Sequence, residues 1–181
     1  MARLSTVTIS ACCLLTLSGY TFAGGLSPYE PPPELAALSE LGPLSGNHTN
    51  IEFDGAYLSK VKVLQNRDGG LGNKAHVQQS GVRNKAKIVQ DGSNNSAYIK
   101  QNGRFNIAKT IQSGEGHESA IMQNGYRNVA VHIQGGNAQH KGTINQSGNN
   151  NLAFIKTTTN NSRDISVNQT GRGRIIINNT F

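Results

Sequence analysis

The sequence predicts an all-β protein, a β-solenoid of stacked strand-turn-strand coils with the cross-β order that makes a chain amyloid-competent. Three observations predict this fold. Only 35% of the residues are hydrophobic and there is no Trp, so the chain lacks the apolar side chains of a layered core. A unit of eleven residues recurs through most of the chain. Within each unit the recurring Asn, Ala, Ile and Gln occupy alternate positions, which is the period of a β-strand.

Residues 1–23 are predicted to be a secretory signal peptide. Arg3 supplies a positive charge, Leu4–Leu17 is mostly apolar, and small residues precede a cleavage point after Ala23. The apolar run is shorter than the roughly 20 residues that a membrane-spanning helix needs. Cleavage after Ala23 would remove both cysteines, Cys12 and Cys13, and leave a chain without thiols. Cleavage at a lipoprotein-type site before Cys12 is the alternative.

Residues 24–53 form a second segment, which differs in composition from the rest of the chain. It contains Pro28 and Pro31–Pro33, and we expect it to be disordered apart from a short helix around Leu35–Leu41. The repeats are predicted to fill residues 54–181. They are clearest from 68 to 169, and the unit at the C terminus diverges from the others, as terminal repeats usually do.

The repeated unit reads Gln-x-Gly-x-x-Asn-x-Ala-x-Ile-x-Gln. Its glutamines are Gln79, Gln90, Gln101, Gln112, Gln123, Gln134, Gln146 and Gln169. Its asparagines are Asn73, Asn84, Asn95, Asn106, Asn128 and Asn151. Its glycines are Gly70, Gly81, Gly92, Gly103, Gly114, Gly125, Gly136, Gly148 and Gly171. His117 replaces one Asn and His132 one Ile, and the steps from Gln134 to Gln146 and from Thr157 to Gln169 take twelve residues.

Each unit is predicted to be a short strand followed by a turn, with the glycine reversing the chain. Two units make one coil, and their strands lie in different sheets with like faces opposed. Coils stacked about 4.8 Å apart would place Gln over Gln and Asn over Asn. Each buried amide could then donate to one neighbour and accept from the other, which removes the cost of a polar interior. The predicted site is therefore an amide ladder.

The repeat region carries most of the positive charge. From Asp68 to Phe181 there are 13 Lys and Arg against 5 Asp and Glu, a net charge of +8. Residues 24–67 have a net charge of −2. A basic repeat region favours acidic partners such as an anionic cell surface, nucleic acid or an acidic protein subunit. The alternative is that scattered lysines only keep the strands from aggregating.

The repeated unit behind a secretion signal resembles the curlin repeat of bacterial curli, over about two thirds of the chain. The resemblance implies a secreted protein that belongs to an extracellular amyloid fibre for adhesion and biofilm. Its implied partners are the major curlin subunit, further copies of itself, and the outer-membrane factors of curli secretion and assembly. The stretch Asn84–Ile88 and the basic charge are more like the minor, nucleating subunit. The major, fibre-forming subunit is the alternative.

A separate hypothesis is that the C-terminal unit attaches the protein to a surface. Arg172 and Arg174 lie beside three isoleucines, Ile175–Ile177, and could hold the protein at an anionic outer surface. A basic cap that stops further strand addition is the competing interpretation.

No enzyme, cofactor or metal site is expected. The five histidines share no ligand-like spacing, and the few acidic residues suggest no catalytic pair. Tyr98, Phe105, Tyr126 and Phe154 do not recur at one repeat position, so no regular platform for stacking bases is predicted. A basic repeat protein that binds nucleic acid or other polyanions is the alternative from another class, although we expect such binding to be incidental.

Overall fold

The computed structural model describes residues 3–10 and 46–180. Residues 3–10, which fall in the predicted signal peptide, are described by their backbone alone. The predicted helix at 35–41 and most of the segment 24–53 lie outside the described residues. In the part of the chain that is described, no helix is long and apolar enough to cross a bilayer.

Thirteen strands make up the described chain. They are β1 Arg3–Ser10, β2 His48–Tyr57, β3 Lys60–Arg67, β4 Lys74–Val82, β5 Lys85–Ser93, β6 Ser96–Arg104, β7 Ile107–Glu115, β8 Glu118–Tyr126, β9 Val129–Gly135, β10 His140–Asn149, β11 Leu152–Thr158, β12 Arg163–Gly171 and β13 Arg174–Thr180. Their lengths match those of ordinary strands.

The strands form two sheets that wind into a solenoid. A seven-stranded sheet has the order β1-β3-β5-β7-β9-β11-β13, and a six-stranded sheet has the order β12-β10-β8-β6-β4-β2. Every pairing is parallel except that of β1 with β3, which is antiparallel. Consecutive strands from β2 onward alternate between the sheets, so each pair makes one coil and the chain makes six. The predicted β-solenoid is confirmed.

The core lies between the two sheets and is built from alternate residues of every strand. Along β5, for example, Ala86, Ile88 and Gln90 face inward and are buried, whereas Lys85 and Lys87 face outward. The parallel register stacks equivalent positions, so the apolar residues form one continuous cluster along the solenoid axis. This cluster of buried apolar side chains supplies the hydrophobic contribution to the stability of the solenoid.

The solenoid begins earlier than the sequence pattern predicts. β2 spans His48–Tyr57, so residues 48–53 belong to the first coil and not to the segment before the repeats. Thr49, Ile51 and Phe53 take the inward positions, in register with the inward residues of β4. Alternation and pairing with β4 place this strand. The repeat pattern does not include it, because Phe53 stands where later coils have Gln.

The twelve-residue units are accommodated at a turn. β9 ends at Gly135 and β10 begins at His140, which leaves four residues between them, whereas two residues separate β8 from β9. The extra length lies outside the strands, and the register of β10 on β8 continues without a shift. An insertion in a turn leaves the stacking of inward residues intact.

Candidate functional site

The eight predicted glutamines, together with Gln65, form two hydrogen-bonded ladders inside the solenoid. In the six-stranded sheet the Nε2–Oε1 distances are 2.6 Å for Gln79 to Gln101, 2.8 Å for Gln101 to Gln123, 2.8 Å for Gln123 to Gln146 and 2.8 Å for Gln146 to Gln169. In the seven-stranded sheet they are 2.8 Å for Gln65 to Gln90, 2.9 Å for Gln90 to Gln112 and 3.0 Å for Gln112 to Gln134. Each Nε2 donates toward the C-terminal coil, so both ladders have the same direction.

The second proton of each amide is also used. Gln101 Nε2 donates to the carbonyl of Lys85 at 3.1 Å, and Gln112 Nε2 donates to that of Ser96 at 2.9 Å. These carbonyls lie at the start of the strand across the core, so the amides tie the two sheets together. A buried amide that uses both donors carries little desolvation cost.

The asparagines form two further ladders at the corners of the solenoid. At one corner the backbone N–H of Asn106 donates to Oδ1 of Asn84 at 3.0 Å, and that of Asn128 donates to Oδ1 of Asn106 at 3.0 Å. The side-chain amide of Asn106 donates to the carbonyl of Gly125 at 3.1 Å. Asn73, Asn95 and Asn151 make equivalent contacts. The Asn side chains therefore satisfy backbone groups where the sheet hydrogen bonds stop.

The nine predicted turn glycines all have positive φ angles, between 55° and 121°. The sequence predicts that each glycine reverses the chain, but in most turns of the structure the residue two positions later also contributes to the reversal. In six of the nine turns that residue also has a positive φ; it is Gly116 in one turn and Arg83, Asn94, Phe105, Arg127 or Asn150 in the others. In most turns the chain therefore crosses from one sheet to the other, about 10 Å apart, through two left-handed residues.

Stacking restricts the glycines as much as their φ angles do. A Cβ on Gly103 would overlap the carbonyl oxygen of Gly125 in the next coil, and a Cβ on Gly92 would overlap that of Gly114. Gly171, in the last coil, has a φ of +88° but no atom within 4 Å of its Cβ position. The interior glycines are therefore required by the neighbouring coil, and the terminal one only by its own backbone.

A small polar network lies inside the core where the repeat departs from its pattern. Thr110 Oγ1 is 3.1 Å from Ser119 Oγ, and Ser119 Oγ is 2.8 Å from His132 Nδ1. The ring of His132 occupies an inward position that holds Ile in other coils. Gly142 faces this ring, and a Cβ at Gly142 would overlap its Cε1 and Nε2 atoms. The larger side chain in one coil is thus matched by the absence of a side chain in the next.

Three histidines lie close together in this region. The rings of His117 and His140 stack at a corner, with centroids 5.2 Å apart and planes at 9°. Burial, together with the smaller effects of the neighbouring His117 and His140, lowers the pKa of His132 to about 4. Burial also lowers the pKa of His117, against the raising effect of its hydrogen bond to Ser113. The structure therefore stabilises neutral imidazoles.

Acid should destabilise the solenoid through His132. Its folded pKa lies below the unfolded value of 6.5, so the unfolded chain binds the extra proton first. The free energy of unfolding should be unaffected above pH 6.5, fall by about 3 kcal/mol as the pH drops to about 4, and then level off. His132→Ile, the residue type of Ile88 and Ile155 in the same column, should remove most of this loss. The midpoint of guanidinium unfolding, measured across this pH range for the wild type and for His132→Ile, tests this expectation. The same pH dependence of the midpoint in both proteins would contradict it.

The aromatic side chains do not form one continuous row. Tyr98 stacks on His76 on the outside of the six-stranded sheet, with ring centroids 5.2 Å apart. Phe105 contacts Tyr126 edge-on at a corner, 5.7 Å between centroids, and the guanidinium of Arg83 lies 5.4 Å from the Phe105 ring centre. These contacts stabilise two local positions on the surface.

The two ends of the solenoid differ. At the N-terminal end Phe53 stands in register with Gln79, and Gln79 Oε1 is buried without a hydrogen-bond donor among the described residues. At the C-terminal end Gln169 is the last glutamine of its ladder, and its Nε2 donates to the carbonyl of Leu152 at 3.2 Å. Arg172 lies in the turn after β12, and Arg174 begins β13 with an exposed side chain.

The repeat unit does not reveal the Thr110–Ser119–His132 network or its dependence on Gly142. A period of 22 in the sequence, instead of eleven, would have marked its small residues but not their contacts with His132. That period separates the columns of the two sheets, and the small residues Ser119 and Gly142 then stand out in the column of Ala75 and Ala97.

Two stretches of the chain, residues 70–103 and 141–171, match the family model described as Curlin associated repeat. The first stretch contains Gln79, Gln90 and Gln101, and the second contains Gln146 and Gln169. No match was found among curated proteins, and none was found among solved structures. The two matches support the curlin family, in agreement with the resemblance of the repeated unit.

Proposed function

We propose, from the premise that curlin repeats indicate a curli fibre component, that this chain nucleates polymerisation of the major curlin subunit at the surface of the bacterial cell. In this proposal the protein is secreted, and it catalyses no reaction. An unfolded subunit adds its strands to an end of the folded solenoid. It thereby avoids the costly closure of a first coil without a neighbour.

The observation that carries the proposal is the C-terminal end of the solenoid. Among the described residues, β12 pairs with β10 and β13 pairs with β11, and each is the last strand of its sheet. The outer edges of these strands hold backbone groups that can pair with an incoming strand. Gln169 adds an amide donor that continues the direction of its ladder. This end therefore offers both backbone and side-chain hydrogen bonds to a chain with the same repeat.

The N-terminal end offers less to an incoming chain. Phe53 replaces glutamine at the ladder position of β2, and β1 lies antiparallel on the edge of β3. Neither feature continues a parallel glutamine ladder. We therefore propose that templating proceeds from the C-terminal end. Removal of the predicted signal peptide would free the edge of β3, but Gln65 Oε1 there already accepts from Thr49 Oγ1 at 2.8 Å, and β2 would still have Phe53 at its ladder position.

Positive charge supports the encounter that precedes strand pairing. The repeat region has a net charge of +8, and its lysines face outward, which would attract an acidic subunit over several ångströms. Such attraction raises the association rate and weakens with salt. The nucleating effect should therefore fall as the ionic strength rises.

Thioflavin T fluorescence of an unfolded major curlin subunit tests the proposal. We expect a small molar fraction of this chain to abolish the lag phase, because the preformed coils replace the slow first step. If the lag is unchanged while this chain polymerises readily alone, it is the main building block of a fibre instead.

A substitution at the C-terminal end should weaken nucleation specifically. Gln169→Leu removes the terminal amide donor and should restore much of the lag at the same molar fraction. Thr170→Val, at the adjacent exposed position of β12, is the matched control and should nucleate like the wild type. Equal lag times for the two variants would show that the glutamine ladder does not guide addition.

A further inference from the structure

The two outer surfaces of the solenoid differ in charge. On the outer surface of the seven-stranded sheet, β3 to β13 present seven Lys and Arg against two acidic residues, Asp91 and, at the end of β7, Glu115. The cations are Lys60, Lys62, Lys85, Lys87, Lys109, Lys156 and Arg174. The outer surface of the six-stranded sheet has Lys74, Lys100, Lys141 and, at the end of β6, Arg104 against Glu52, Asp54, Glu118 and Asp164. One surface is strongly basic and the other is nearly neutral.

The basic surface is also the apolar one. Outward positions of the seven-stranded sheet hold ten large apolar residues: Leu64, Val89, Ile107, Ile111, Val129, Val131, Ile133, Leu152, Phe154 and Ile176. The six-stranded sheet has Tyr98, Ala120 and Met122 at such positions, and Tyr57, Val82 and Tyr126 at the corner where its strands end. Ile107 is 41% exposed and Ile176 is 53% exposed. A contiguous apolar area on a protein surface usually marks a site of interaction.

The register places the apolar residues in one block across β7, β9 and β11. Ile107 pairs with Val129 and then Leu152, and Ile111 pairs with Ile133. Lys109, Lys156 and Arg174 lie at the margins of this block, and the lysines of β3 and β5 continue beyond it. The basic side chains therefore flank apolar ones on a single flat surface, which we call the basic apolar face.

The arrangement of charges discriminates between two occupants of this face. A second copy packed against it would bury Lys109, Lys156 and Arg174, and among the described residues the face itself could offer them only two carboxylates, Asp91 and Glu115. Burying cations without partners costs several kcal/mol. At a bilayer surface, long basic side chains can extend to anionic headgroups while neighbouring apolar side chains enter the boundary region.

We propose that the basic apolar face adsorbs flat onto an anionic lipid surface and leaves the six-stranded sheet and the C-terminal end accessible. Membrane adsorption becomes durable when apolar burial and several basic residues act together, and this face provides both. Of the two residues predicted to anchor the protein, Arg174 belongs to the face and Arg172 lies in the turn before it. The proposal is independent of nucleation, so each can fail without the other.

Vesicle flotation tests the proposal, since fibres sink while vesicles rise. The purified chain should float with vesicles that contain phosphatidylglycerol, and hardly at all with pure phosphatidylcholine. Each lysine near an anionic bilayer strengthens binding about fivefold, so Lys85→Gln with Lys87→Gln should weaken partitioning about thirtyfold. Lys74→Gln with Lys100→Gln, on the six-stranded sheet, is the control of equal charge change and should leave partitioning unchanged. Equal losses for both double variants would overturn the proposal.

Two further comparisons test the apolar contribution and the orientation. Ile107→Ser should weaken binding severalfold, whereas Met122→Ser, at an outward position of similar exposure, 38% against 41%, should not. Because the chain has no Trp, Phe154→Trp and Tyr98→Trp each introduce a single fluorophore. Only the former should shift to the blue with anionic vesicles. A lipid-independent dimer that Ile107→Ser dissociates would instead assign the face to a second copy and overturn the proposal.

Discussion

Replacing Gly103 by Ala is expected to cost the solenoid about 4 kcal/mol. The residue has a φ of +110°, which an alanine adopts at a cost of about 1–3 kcal/mol. The added Cβ would also overlap the carbonyl oxygen of Gly125, and relieving such an overlap costs a further 1–3 kcal/mol or so. The coils can separate only by breaking hydrogen bonds of the six-stranded sheet. The guanidinium midpoint, followed by circular dichroism, measures the loss.

Two other glycines separate the backbone effect from the overlap. Gly171→Ala retains the unfavourable φ but meets no atom within 4 Å, so we expect a loss of about 1–2 kcal/mol. Gly135 has an ordinary φ, and a Cβ there would lie 3.5 Å from Thr158 Cγ2. Gly135→Ala should therefore change stability by less than about 0.5 kcal/mol. A similar loss for Gly103→Ala and Gly171→Ala would refute the importance of coil-to-coil contact.

The second large effect is expected from Gln101→Glu. Gln101 is 1% exposed, accepts from Gln79 Nε2, and donates to Gln123 Oε1 and to the carbonyl of Lys85. A carboxylate keeps the acceptor but loses both donors, and it places a negative charge beside two oxygens. Breaking a buried polar network in this way costs about 3–5 kcal/mol. The variant should form coils poorly at neutral pH.

The pH dependence of this loss distinguishes charge from shape. Burial should raise the pKa of the introduced carboxyl, and a protonated carboxyl can donate again to Gln123. The difference in stability between variant and wild type should therefore narrow as the pH falls, and widen as the pH rises through the raised pKa. Gln78→Glu, on the outer surface of β4, is the control and should cost less than about 1 kcal/mol at any pH. A difference independent of pH would point to packing alone.

The coil, its two strands and its stacked glutamines follow from the sequence because they depend on one repeated unit. Alternate positions define the inward face of any strand, and a fixed spacing defines what stacks on what. Residues 48–53 escaped the pattern because Phe53 has no amide. The strand there depends on alternation and on pairing with β4, and an isolated alternating stretch is a weak signal.

The basic apolar face and the His132 network required knowledge of the sheets. Ile107, Val129 and Leu152 are far apart in the sequence and become neighbours only because alternate units share a sheet. His132 and Gly142 belong to different sheets and meet across the core. The eleven-residue unit is common to the strands of both sheets. Features that belong to only one sheet are therefore not visible in it.

The contact between the His132 ring and Gly142 affects which register the stacked coils adopt. A chain of near-identical units could stack with an error of one coil and keep most of its amide ladder, which would yield a mixture of isomers. If the six-stranded sheet were shifted by one coil in either direction, Ser119 or Ile165 would lie opposite the ring of His132 in place of Gly142. Either side chain would collide with the imidazole ring. The large side chain of His132 opposite Gly142 therefore favours one register of the coils over the registers shifted by one coil.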